Sequence, residues 1–159
     1  MRRVLLGAAL AAAMQLPGSL AASEPAASGA AAERVLVTVR NADGGLLRFT
    51  ARVTVEPLQR RLGFRGLDAE QARGLVLLHR LPWPDLRPWS MREVGIPLEV
   101  FWLDASGQVF QAVSLYTGQD LYQPERAVSS ALQAPRGELS SQGVGPGSRI
   151  VSVRAVEPP

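Results

Sequence analysis

The sequence predicts a mainly β fold, or α+β with minor helix: a compact antiparallel β-sandwich or barrel-like domain carrying two or three short helical turns. Three observations predict it. Apolar and polar residues alternate with period two in several stretches of five to nine residues. Clusters of Gly, Asn, Asp and Pro separate these stretches at short, regular intervals. Helical spacing is confined to brief segments, too short for a helical layer.

Taken in order, Arg34 to Arg40 sets Val35, Val37 and Val39 on one face against Arg34, Leu36, Thr38 and Arg40 on the other. Asn41-Ala42-Asp43-Gly44-Gly45 supplies a turn, and Leu47 to Val55 alternates again, so the two strands form a hairpin. Glu56-Pro57 opens a short helix with Leu58 and Leu62 on one face, ended by Gly63. Asp68-Ala69-Glu70-Gln71 has the form of a capping box, and Gly74 closes that turn. Leu75 to Leu78 is short and apolar enough for a buried strand. Leu81 to Trp89, with Pro82, Pro84 and Pro88 beside Trp83 and Trp89, is expected to be an ordered loop without regular structure.

Ile96 to Leu103 is apolar on both faces except at Glu99, which marks a central strand. Asp104-Ala105-Ser106-Gly107 turns the chain, and Gln108 to Leu115 returns antiparallel. Val128 to Leu132 is a further strand, Glu138 to Gln142 a helical turn followed by Gly143, and Arg149 to Val153 the last strand.

The leading residues read differently. Arg2 and Arg3 precede an apolar run from Val4 to Leu16, Pro17 and Gly18 break it, and Ser19-Leu20-Ala21 offers small residues at a cleavage site. The run is short for a bilayer span. Cleavage is expected after Ala21, with Ala22 as the next choice. The chain thus divides into a signal peptide over 1–21, a flexible tether over 22–33 and one domain over 34–155. Absence of Cys excludes disulfides, thiolate metal sites and a lipid-modified cysteine anchor. A periplasmic or secreted location is expected, with no membrane anchor after cleavage.

At 159 residues, 47% apolar and 19% charged, the composition is that of a globular domain. All 17 basic residues are Arg. The isoelectric point near 10.5 reflects the near absence of groups titrating between neutrality and pH 10 rather than a large charge. Without Arg2 and Arg3, 15 basic residues face 14 acidic ones. That balance argues against a nucleic-acid partner.

The run Trp89-Ser90-Met91-Arg92-Glu93-Val94-Gly95-Ile96-Pro97-Leu98-Glu99, continuing through Asp104, resembles the signature of the DUF 192 family (domain of unknown function 192). That signature reads Phe-Trp-Met-Lys-Asn-Thr, then Ile-Pro-Leu-Asp and a hydrophobic strand ending in Asp. Arg60, Gly63 and Gly74 to Leu77 resemble its upstream helix and strand. Ala131 to Gly137 and Gly147 to Ile150 are similar to its closing elements. The resemblance spans residues 46 to 154 and implies a mostly β, often exported domain with no established activity. The chain departs from the pattern at Glu93, Val94, Glu99 and Ser148, where the family has Asn, Thr, Asp and Asp.

Candidate ligand-binding residues are Trp89, Met91, Arg92, Glu93 and Glu99. Glu99 shares its strand face with Pro97, Phe101 and Leu103, so its carboxylate is expected to be protonated, hydrogen-bonded or paired with Arg. Two readings stay open: a ligand-binding or acid/base group, or a structural ion pair with Arg65 or Arg92. Trp89 and Trp83 beside Arg92 and Glu93 suit a carbohydrate or a small anion. The only histidine, His79, is read as a strand-end or loop residue, because no nucleophile or zinc constellation surrounds it. Gly143, Gly145 and Gly147 lack the Lys of a phosphate loop.

Two functions follow. The first is a non-enzymatic module binding a small ligand, a glycan or an envelope protein. The second is a carboxylate-based hydrolase of an envelope glycan, using Glu99 with Glu93 or Asp104. Catalysis stays open with the balance against it, and neither a cofactor nor a metal is expected.

Overall fold

The computed structural model describes residues 33–55 and 63–156. The expected leader, the tether as far as residue 32 and the helix expected from Pro57 lie outside the described residues. Seven strands form one mixed sheet: β1 (Arg34–Arg40), β2 (Leu46–Thr54), β3 (Leu77–Asp85), β4 (Leu98–Leu103), β5 (Val109–Leu115), β6 (Val128–Pro135) and β7 (Arg149–Ala155). Their order across the sheet is β5-β4-β6-β3-β2-β1-β7. The two outermost strands meet at one end. Val109 donates its N–H to the Ser148 carbonyl (2.8 Å), and Ile150 donates to the Gly107 carbonyl (2.9 Å). The sheet therefore curls into a barrel-like shape, which hides part of both edges.

The expected antiparallel arrangement is corrected at one place. β2 and β3 run parallel, with Thr54 opposite His79, because the chain crosses over through residues 55–76 instead of turning back directly. The crossover carries a short helix, α1 (Ala69–Ala72), closed by the expected capping box. The Asp68 side chain accepts from Glu70 N and Gln71 N, and the Gln71 side chain accepts from Asp68 N.

The segment expected to lack regular structure is corrected as well: β3 continues through Pro82 and Pro84 to Asp85. Past His79 it has no β2 partner, and its ladder with β6 breaks between Arg80 and Asp85. The prolines sit in that break, where no ladder N–H is required.

Two apolar clusters flank the sheet. Inside the barrel Val35, Val37 and Val39 of β1 pack with Val53, Leu78, Phe101, Leu103 and Leu132. Outside it, beneath the crossover and the loop before β4, Phe64, Met91, Leu98, Val100, Trp102 and Leu115 form the second cluster. Every β4 residue is buried, because β4 supplies both clusters in alternation. Gly143, after a 3₁₀ turn at Ser140–Gln142, has φ +88, and a Cβ there would lie 2.6 Å from the Asn41 amide nitrogen. That amide donates to the Gln142 carbonyl (2.9 Å), tying the turn to the β1–β2 hairpin.

Candidate functional site

The break in the β3 ladder shapes a cleft of about 560 Å³. Residues 81–84 bow out from β6, leaving Trp83 66% exposed at the mouth. Trp89 also lines the cleft. Its backbone is held from both directions, with its N–H on the Tyr122 carbonyl (2.9 Å) and the Tyr122 N–H on its own carbonyl (2.8 Å). The Trp89 ring meets the His79 ring edge-on at 5.1 Å and stacks at an angle on Trp102 at 6.2 Å.

The floor is polar and built from three adjacent strands. His79, 2% exposed, holds Thr54 Oγ1 at 2.7 Å from Nδ1 and Gln133 Oε1 at 2.9 Å from Nε2. A Gln carbonyl oxygen only accepts, so Nε2 donates; in the neutral ring Nδ1 then accepts from the Thr54 hydroxyl. Both ring nitrogens are thus engaged, Nδ1 by the Thr54 hydroxyl and Nε2 by the Gln133 carbonyl oxygen. The Gln133 amide nitrogen makes no hydrogen bond within the described residues, so its two hydrogens are available to a ligand.

Charged groups at the rim are paired. Arg87 grips Asp85 through Nη2 (2.6 Å) and Nε (2.7 Å), and Arg65 Nη1 lies 3.0 Å from Glu93 Oε2. The Arg87 hydrogen bond holds the Asp85 carboxyl below its ordinary value, and Asp85 in turn raises that of Arg87. The described lining therefore carries aromatic faces, one free amide donor and internally neutralised charge. Among the described residues no group of three His, Asp or Glu could hold a metal ion.

Of the residues singled out from sequence, Trp89 lines this cleft, and Glu93 borders it through Arg65. Met91 is buried in the outer apolar cluster. Arg92 is exposed and faces Asp120 at 3.9 Å. Glu99 lies elsewhere. It is 4% exposed and accepts four hydrogen bonds: from Leu139 N (2.7 Å), Gly137 N (3.0 Å), Ser140 N (3.2 Å) and Ser140 Oγ (2.6 Å). The expected ion pair with Arg65 or Arg92 is corrected: the donors are three backbone amides and the Ser140 hydroxyl, from the turn that leads into the 3₁₀ segment and its first residue, and both arginines have other partners. A turn whose N–H groups point the same way replaces a cation without a second desolvated charge.

Sequence reasoning missed His79, Gln133, Asp85 and Arg87 as parts of a site. The Pro-Trp-Pro run carried a signal for Trp83. Gln133 carried none, because it is 54 positions from the histidine that holds it.

The DUF192 family model, described as "Uncharacterized ACR", matches residues 38–152. The chain belongs to the DUF192 family. A "putative transcription regulator" from Sinorhizobium meliloti 1021 is similar in structure, with 20% identity and a TM-score of 0.65, covering 77% of this chain and 92% of its own. A protein of unknown function from Novosphingobium aromaticivorans DSM 12444 is similar at 16% identity and a TM-score of 0.66, covering 87% of this chain and all of its own. At such identities the likeness is one of fold. No curated protein matches the chain. Within the DUF192 domain the family signature divides between two places: Trp89 borders the cleft, while Met91, Ile96, Leu98 and Val100 to Leu103 build the cores.

Proposed function

We propose that this DUF192 domain is an exported, non-enzymatic binding module whose cleft takes a neutral carbohydrate. The observation that carries the reading is one cleft lined by two tryptophans and the Gln133 donor. Sugar C–H faces pack on indole rings, and an amide donor suits a hydroxyl or acetamido oxygen. The pairing of Arg87 with Asp85 and of Arg65 with Glu93 leaves little unbalanced charge, which favours a neutral ligand over an anion.

The hydrolase reading is weaker on geometry. It needs two carboxyl groups facing one open cleft. Glu99 is enclosed by residues 137–140, and Asp104 is occupied by the β4–β5 turn, where it accepts from Ser106 and Gln108. Export rests on the leader pattern, and intact-mass measurement of the periplasmic fraction tests it: a chain beginning at residue 22 or 23 is expected.

A thermal-shift screen of residues 22–159 against neutral hexoses and N-acetylhexosamine oligosaccharides tests the binding reading. A true ligand at 100 times its Kd stabilises by about 2.7 kcal/mol. Trp83→Ala is expected to abolish that shift while leaving the unliganded transition unchanged, since Trp83 is largely exposed. A sugar that stabilises both proteins equally would contradict the site.

A further inference from the structure

The near balance of charges in the sequence conceals a one-signed surface. Because Val35, Val37 and Val39 face inward, the alternate residues of β1 and their cross-strand partners share the outer face of β2-β1-β7. That face carries Arg34, Arg40, Arg48, Arg52, Arg149 and Arg154, and its ladder positions include no Asp or Glu. Arg34 stands directly opposite Arg52, an arrangement of like charges that costs stability unless an anion lies between. Arg73, from the end of the crossover, joins that pair around a groove of about 280 Å³. Among the described residues, none of Arg34, Arg40, Arg48, Arg52, Arg73 and Arg154 makes an ion pair. Among the described residues, the acidic side chains close in sequence to these arginines, Glu33, Asp43 and Glu70, are exposed and likewise make none.

Aliphatic side chains are interspersed with this charge. Leu46, opposite Arg40, is 59% exposed, Leu36 lies between Thr50 and Arg154, and Val151 bulges from β7. A nucleic-acid surface would call for aromatic or amide side chains among its arginines. Guanidinium groups alternating with exposed leucine and valine fit instead a surface with phosphates outside and hydrocarbon beneath.

We infer that the outer face of β2-β1-β7 docks the domain onto an anionic phospholipid surface, with the Arg34–Arg52–Arg73 groove seating a lipid phosphate. This surface is separate from the tryptophan cleft and does not depend on it. Each arginine near such a surface contributes about fivefold in affinity.

The test is co-sedimentation of residues 22–159 with vesicles. This chain holds all seven strands and both cores and omits the apolar run at 4–16, which would enter a bilayer by itself. Phosphatidylglycerol–phosphatidylcholine vesicles are expected to bind it, phosphatidylcholine vesicles alone to bind it far less, and added salt to release it. The triple variant Arg34→Ser, Arg48→Ser, Arg52→Ser is expected to lose about a hundredfold in affinity with an unchanged circular dichroism spectrum. Leu46→Ser is expected to weaken binding while keeping its salt dependence. Equal binding to both vesicle types, or full binding by the triple variant, would overturn the inference. So would binding of a DNA duplex or of soluble polyphosphate without any binding to anionic vesicles.

Discussion

A carboxylate among apolar side chains persists only where donors replace its lost water. Glu99 has four, supplied by one turn, and it is in effect the peg on which residues 137–140 hang. Glu99→Gln places an NH₂ group against N–H donors and breaks bonds on one side of the carboxylate. Its expected cost is about 3 kcal/mol, as for two hydrogen bonds to a charged group, read from the denaturant midpoint at unchanged m-value. A variant as stable as wild type would show that the turn is held by other means. Glu93 carries a different constraint. Its φ of 63 lies in the left-handed region, where Asn is better tolerated than Glu. That explains the Asn of the family signature as a backbone requirement. The polarity of Glu99 among apolar neighbours was legible in the sequence. Its partners were not, because backbone amides leave no mark in a side-chain alphabet.

At the level of elements, β4 decides the architecture. Phe101 and Leu103 enter the barrel interior while Leu98, Val100 and Trp102 enter the outer cluster, so one strand ties both cores together. Phe101→Ala is expected to cost roughly 3–5 kcal/mol, and a measured loss below about 1 kcal/mol would contradict its place in the core. Alternation made β1 readable from Arg34 to Arg40 without error, and the Asp68 capping box was readable from four residues. The parallel β2–β3 pair was not, since strand direction depends on where a crossover lands rather than on any local pattern. The continuation of β3 through Pro82 and Pro84 was hidden for a related reason. Proline excludes a regular ladder, but only pairing with β6 reveals that the ladder is already broken there.

Over the whole molecule, the site arises from that irregularity: the barrel supplies a rigid floor, and the broken strand with the loop to Trp89 supplies the walls. The joints depend on acids held in ionised form. The Ser106 hydroxyl, aided by backbone N–H groups and Arg126, keeps the Asp104 carboxyl below its ordinary value, and Arg87 does the same for Asp85. A lowered folded-state value means that the stabilisation is complete above the unfolded value of 3.8 and is lost as pH falls through the folded values. Urea midpoints are therefore expected to decline below about pH 3.8, and less steeply for Asp104→Asn than for wild type. Equal declines would remove Asp104 from that role.

The most direct measurement of the cleft is amide chemical-shift mapping of residues 22–159 with an N-acetylhexosamine disaccharide added. Amide shifts are expected at His79, Trp83, Asp85, Arg87, Trp89 and Gln133, which line the cleft at the strand break, with the Trp83 and Trp89 indole N–H signals moving most. Shifts confined to the arginine face or to residues 137–140, or no shifts with any neutral saccharide tried, would contradict a carbohydrate site between the two tryptophans.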